Sequence, residues 1–385
     1  MRRPALWLLF ALLIVFADAH AFAQSASDRP LVVEQLVCRG NASTSCTFIL
    51  GQVYLAEGDA VDEEELQNAK LRLLWLRNFQ SVSIYLEKGS ERGKARIVVE
   101  VVEAKPITTE LSYNLFWQDT TLAQTLSGRL THYNLFGSGK IFDARATAIV
   151  PFSGPTIRQY FARAQYIDPH LFDSKRNFFS VGASYLDNTL NRLNGDRILN
   201  QQASYDVTFG RRLWDFSYVT LGYQHRPVVN LDATVRQSDG HLETFDRRRA
   251  DVIALGFGWN SEDDPYFPTR GSRLEVNVLS AGGQFEGTTN AFYRRTWRWG
   301  RTVWNAHYQS KDIFGIGFAR PFAPEFAADS LRRGRWFVGT NVTPNGFTKG
   351  GSAIRDVGAT AGILLETRPF GIVQLSVSYS RVLSQ

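Results

Sequence analysis

Beyond its first two dozen residues the sequence has no run approaching 18 consecutive apolar residues, which excludes membrane-spanning helices. Cysteine is scarce: only Cys38 and Cys46 occur, eight residues apart. In an oxidising compartment they would close a small loop worth roughly 2–3 kcal/mol, with two unpaired buried thiols as the alternative. The six histidines, at 20, 132, 170, 225, 241 and 307, show no metal-ligand spacing. Gly137-Ser138-Gly139-Lys140 lacks the upstream glycine of a phosphate loop, and Ile141 follows the lysine. No catalytic constellation is left. The expectation is a protein that is not an enzyme and uses no cofactor and no metal.

What is present begins with a leader. Arg2 and Arg3 precede the apolar stretch Pro4–Phe16, and Ala21-Phe22-Ala23 is a small-x-small cleavage site. A signal peptide over residues 1–23 is expected, cut after Ala23, with Ala19 or Ala21 as alternatives. Residues 25–105 carry a net charge of −2, whereas residues from Pro106 onward carry about +7 of the chain's +6. Exported chains rarely meet nucleic acid, so none is expected as a partner. The basic excess suits a water-filled lumen or anionic lipid headgroups.

Residues 24–107 read as a small α+β domain in the order strand, helix, helix, strand, strand. Leu31–Val37 is an extended apolar run that ends at the Gly40-Asn41 turn. A short helical or irregular piece follows over Phe48–Tyr54. Asp62-Glu63-Glu64-Glu65 then opens a helix with an apolar stripe at Leu66, Ala69, Leu73 and Leu76. Ser81–Leu86 and Arg96–Val102 flank a polar hairpin turn at Gly89–Gly93. Such a sheet leaves a strand edge able to accept another extended chain.

From Thr108 to the end the chain alternates apolar and polar residues. Val373, Leu375, Val377 and Tyr379 point one way; Gln374, Ser376, Ser378 and Ser380 point the other. Ile253, Leu255, Phe257 and Trp259 are expected to face lipid, with Ala254, Gly256 and Gly258 inside. About fourteen such strands, within a range of roughly 12–16, predict a mainly β chain whose residues 108–385 close into a transmembrane antiparallel β-barrel. A soluble sandwich would have to bury Arg273 and Glu275 on its inner face, and these suit a wet lumen better. Aromatics at Trp117, Tyr133, Phe136, Trp297, Trp299, Trp336 and Phe337 suit interfacial girdles. The polar segment Arg226–Arg249 reads as an outer loop. Arg294, Arg298 and Arg301 form either a basic lumen stripe or pairs with Glu275 and neighbouring acids. Glu262-Asp263-Asp264 reads as a solvated acidic turn, with calcium binding as the weaker alternative.

Several of these motifs carry a family resemblance. Gly40-Asn41, Glu57-Gly58-Asp59-Ala60-Val61-Asp62, Phe79-Gln80-Ser81-Val82 and Glu103-Ala104-Lys105-Pro106-Ile107 resemble a POTRA domain. Asn134-Leu135-Phe136-Gly137-Ser138-Gly139 and Asp168-Pro169-His170-Leu171-Phe172 resemble turns of BamA/TamA-type outer-membrane assembly barrels. Phe267-Pro268-Thr269-Arg270-Gly271-Ser272-Arg273-Leu274 is similar to the strand-start motif of the same family. The resemblance implies an outer-membrane barrel with its N-terminal domain in the periplasm, contacting lipid and an unfolded client or secreted protein. Periplasmic or outer-membrane partner proteins are implied as well. The implied activity is assembly, insertion or translocation of proteins, with a passive channel or structural barrel as the alternative. A seam between the first and last strands would join 108–117 to 371–382. Arg333-Gly334 is the candidate for the family's Arg-Gly-Phe/Tyr motif, which a long outer loop folds back into the lumen. The family's last strand ends in an aromatic residue, whereas this chain ends Val382-Leu383-Ser384-Gln385. A shortened relative with one POTRA-like unit is therefore expected.

Overall fold

A computed structural model of the chain describes residues 31–384, apart from 119–120, 154–156, 192–196, 215, 237–241, 246–249, 265, 282–283, 311–312, 323–330, 347–353 and 368–370. The leader expected over residues 1–23 lies outside the described residues.

The N-terminal domain runs β1 (Val32–Arg39), α1 (Cys46–Leu50), α2 (Glu63–Trp75), β2 (Phe79–Lys88) and β3 (Lys94–Glu103). β3 lies in the middle of the sheet, parallel to β1 and antiparallel to β2. Ser45 caps α1 by accepting from the Phe48 N–H, and Asp62 caps α2 by accepting from Glu64 and Glu65. The predicted α2 stripe supplies the core: Leu66, Ala69 and Leu73 pack with Val33, Phe48, Ile49, Ile97 and Val99. Cys38 and Cys46 are joined by a disulfide, with Cα atoms 5.8 Å apart.

The second body is a closed barrel. Its strands are β4 (Ile107–Gln118), β5 (Thr121–Leu135), β6 (Lys140–Ser153), β7 (Ile157–Asp168), β8 (Asn177–Asn191), β9 (Arg197–Arg212) and β10 (Ser217–Arg236). Among the described residues, β11 (Leu242–Phe245) pairs only with the end of β10. The wall continues with β12 (Ala250–Asn260), β13 (Gly271–Ala281), β14 (Gln284–Trp299), β15 (Thr302–Gln309) and β16 (Ile313–Phe322). It ends with β17 (Leu331–Gly346), β18 (Ile354–Thr367) and β19 (Gly371–Ser384), which pairs with β4.

Setting β11 aside, fifteen strands form the wall, one more than the sequence reading of about fourteen. The extra one is β16. Its outward residues Phe314 and Ile316 are half exposed, but its inner face has Gly315 and Gly317 where an alternating strand would show polar side chains. A Cβ at Gly315 would lie 2.1 Å from the His307 ring, so glycine makes room for an inward imidazole. Pro321 further disguises the strand.

Within the segment 226–249, read from the sequence as an outer loop, residues 226–236 and 242–245 are strand. β10 continues past Pro227, after a register shift between His225 and Val228, and pairs with β9 as far as Thr234. Polarity does not prevent strand pairing here.

The expected facing holds elsewhere. Ile253 and Leu255 are each 49% exposed on the outer surface. A Cβ at Gly258 would run into the Tyr218 ring inside.

Candidate functional site

The turn between β12 and β13 is built from its own acidic residues. Asp263 accepts from the Thr269 N–H at 2.8 Å and the Arg270 N–H at 3.2 Å. Asp264 accepts from the Tyr266 and Phe267 N–H groups, both at 2.9 Å. Gly271 closes the turn with φ +111°, and a Cβ there would lie 2.3 Å from the Ser261 carbonyl oxygen. The three neighbouring carboxylates therefore have separate partners. Glu262, 1% exposed, pairs with Arg294 through bonds of 2.7 and 2.6 Å.

This turn folds inward and crosses the barrel. β12 and β13 are the eighth and ninth strands from β4, yet the turn touches β4, β5, β17, β18 and β19. The Tyr266 hydroxyl donates to Glu110 on β4 and lies 3.5 Å from the Tyr133 hydroxyl on β5. Burial, with Tyr133 and Glu110 beside it, pushes the Tyr266 phenol above its usual range, so it stays a donor. Phe267 packs against Leu364 and Ile372. Arg333 donates to Asp264 at 2.6 Å and to Glu366 at 2.5 Å, and Arg335 donates to the Tyr266 carbonyl at 2.8 Å. Both guanidinium groups lie over the Phe267 ring, at 4.4 and 5.2 Å. Burial raises the Asp264 pKa, but the Phe267 N–H and Arg333 outweigh it, and the net shift is downward.

The N-terminal domain docks on the same rim, called proximal here. The Ser45 N–H donates to Gly137 O at 2.9 Å, and Asn134 Nδ2 donates to Thr44 Oγ1 at 2.9 Å. Gln52 meets His170 at 2.7 Å, and Lys175 Nζ reaches Val53 O at 3.0 Å. Arg77, at φ +60°, places its guanidinium 3.4 Å from the Tyr266 ring centroid and 3.7 Å from Asp264. Beside these contacts a cleft of about 560 Å³ opens between the domain and the start of the β4–β19 seam. Trp75, Phe79, Lys105, Thr109, Gly371 and Ile372 are among its lining residues.

Residues 134–310 match the Omp85 superfamily domain. The matched stretch lies within the barrel wall, from the end of β5 to just past β15. CdiB from Escherichia coli is 13% identical and superposes with a TM-score of 0.59, covering 87% of this chain and 70% of that one. CdiB from Acinetobacter baumannii, 8% identical, gives 0.54 over 87% and 68%. BamA from Haemophilus ducreyi lacking POTRA domains 1–3, 13% identical, gives 0.44 over 94% and 82%. These likenesses concern the fold. No curated protein sequence matches the chain.

All three turn motifs read from the sequence lie on the proximal rim. Asn134 Oδ1 accepts the Gly139 N–H at 3.0 Å and so folds the first turn. Phe136 stands 91% exposed at its tip. In the second, Asp168 accepts the His170 N–H at 3.0 Å, and Arg212 donates to Pro169 O at 3.0 Å. The third is the inward turn with Phe267, Pro268 and Gly271.

Two other readings are corrected. Arg333 and Gly334 belong to β17 at its proximal end, not to an inner loop; side-chain direction on a strand aims Arg333 at the crossing turn. The basic stripe is not continuous. Arg294 faces inward onto Glu262, but Arg298 folds back on Gly300 O at 3.0 Å, and Arg301 is exposed at the same turn. Glu275 pairs with Arg273. A row of inner arginines exists elsewhere: Arg129 stands opposite Arg145, which stands opposite Arg163. Only strand register reveals it.

Two tests address the docking. A Cβ on Gly139, at φ +69°, would lie 1.9 Å from the buried Phe48 ring. Gly139→Ala should therefore cost about 2–4 kcal/mol of docking and speed proteolysis between the two bodies. Unchanged proteolysis would show that this contact does not hold the domain.

Glu103 is the second. Burial raises its pKa, but the Ser43 and Thr44 hydroxyl and N–H groups outweigh that and hold it down to about 2. Its contribution is complete above about pH 4.5, the ordinary value, and is lost as the pH falls toward 2. Amide exchange at Ser43 and Thr44 should accelerate over that window, and Glu103→Gln should flatten the response.

Proposed function

We propose that this Omp85 protein assists the assembly, insertion or translocation of polypeptides at the outer membrane. In this reading the leader is removed on export. The N-terminal domain is a POTRA-like unit in the periplasm. Its free sheet edge takes an extended client by main-chain pairing, and the barrel passes that client to the membrane. No bond chemistry is assigned to it. One observation carries the reading: the docked domain, the crossing turn and the cleft all converge on the proximal end of the β4–β19 seam. A passive channel has no use for such convergence, and a turn lying across the mouth opposes steady conduction.

The test uses the purified full chain in lipid vesicles with a urea-unfolded outer-membrane barrel as the client. Faster appearance of the folded, heat-modifiable client than in empty vesicles is expected. No acceleration, together with steady conductance in a planar bilayer, would favour the passive channel instead.

A further inference from the structure

A cavity of about 130 Å³ lies between Pro268 of the crossing turn and the inner wall. Arg294 and Thr296 reach it from β14, Asn305 from β15 and Arg335 from β17. Small residues of β16 make the space. Ala319 stands opposite Val303, and Gly317 opposite Asn305, where larger inner side chains would fill it. Val303 and Ala319 are buried, and no carboxylate is among the lining residues.

The two guanidinium groups at this cavity differ in their partners. Arg294 is neutralised by Glu262, which it bonds at 2.7 and 2.6 Å. Arg333, two residues before Arg335 on β17, is likewise held by Asp264 and Glu366. Arg335 has no such carboxylate bond among the described residues. It donates to Tyr266 O at 2.8 Å, and its Nε is buried with no hydrogen-bond partner there. A buried N–H of a charged group that meets no acceptor loses its hydration without compensation.

The chemistry of the lining narrows the occupant. A cation would meet two guanidinium groups and no carboxylate. An apolar guest would leave Arg335 Nε unsatisfied. A negative ion accepts the free N–H and offsets the charge that carries it. The volume falls well short of the roughly 300 Å³ at which pockets for organic ligands begin, yet it admits a halide-sized ion with water beside it.

We propose that this cavity binds a small monovalent anion of halide size on Arg335 Nε, beside Arg294 and Asn305, and that the ion ties the crossing turn to the wall. Arg335 already clasps the turn through Tyr266 O and lies over the Phe267 ring at 5.2 Å. An anion on its other side fixes the guanidinium between turn and wall. The hold on the turn then depends on the anion as well as on the arginines.

The first test uses the unaltered full chain, crystallised in detergent from sodium bromide. The anomalous map should show a bromide within hydrogen-bonding distance of Arg335 Nε. The second follows the same chain in lipid vesicles as chloride replaces gluconate, an anion too large for the cavity, at constant ionic strength. The urea midpoint of the heat-modifiable band should rise with chloride and saturate. Arg335→Met should raise the chloride needed for half the effect by about tenfold or more, as expected for a lost charge-assisted bond. Ala319→Leu, which fills the cavity and leaves every arginine in place, should abolish the effect. In planar bilayers, openings of the unaltered chain should be several-fold more frequent in gluconate than in chloride.

Water alone at Arg335 Nε would overturn the proposal, as would a bromide that persists in Arg335→Met. A bromide peak without any chloride dependence in vesicles would mark an adventitious ion only, and overturns it too. Openings equally frequent in both salts would break the tie between ion and turn. If either variant fails to fold, the bromide map and the chloride titration of the unaltered chain decide the matter alone.

Discussion

Replacing Glu262 with alanine should destabilise the folded barrel by about 3 kcal/mol. The carboxylate is 1% exposed and bonds Arg294 twice, while the Thr296 hydroxyl lies 3.4 Å away. Its removal strands a guanidinium against the wall behind the crossing turn. The Arg294 side chain keeps 27% of its exposure, so lumen water recovers part of the loss, and the figure belongs at the low end of the range for broken buried pairs. The measurement is the urea midpoint of the heat-modifiable band. Arg294→Met added to Glu262→Ala should recover much of the stability, because the unpaired charge goes with the arginine. A wild-type midpoint for Glu262→Ala would mean the pair contributes nothing.

The second large effect concerns the crossing turn. Arg333 and Arg335 hold it through Asp264, the Tyr266 carbonyl and the Phe267 ring. The Arg333 side chain is 42% exposed, so each clasp is discounted to about 1 kcal/mol. Removing both in Arg333→Ala/Arg335→Ala should shift the turn's equilibrium away from the mouth by about 2 kcal/mol, or roughly thirtyfold. Planar-bilayer recordings should then show frequent openings that the unaltered chain rarely makes. Traces that cannot be told apart would remove the turn from any gating role.

Much of the wall was legible because its chemistry repeats every second residue. The faces of Ile253–Trp259 and of Val373–Tyr379 follow from alternation alone. The rim turns were legible for a different reason. Asn134, Asp168, Gly139 and Gly271 satisfy or permit backbone geometry within a few residues of themselves, so local sequence encodes them.

Long-range geometry left no such trace. Tyr266 and Glu110 are 156 residues apart, and nothing in either segment announces the other. The Arg129–Arg145–Arg163 row depends on register between separate strands. β16 escaped because glycines on its inner face removed the polar half of the alternation. Missing that one strand changed the parity of the count, and with it the direction in which β19 meets β4.

The most direct measurement is the outer-membrane proteome after depletion of this protein, scored barrel by barrel together with secreted proteins. A client-handling barrel should leave one or several of them specifically reduced, with levels restored when the chain is supplied again. An unchanged proteome in fully depleted cells would contradict a role in assembly or translocation.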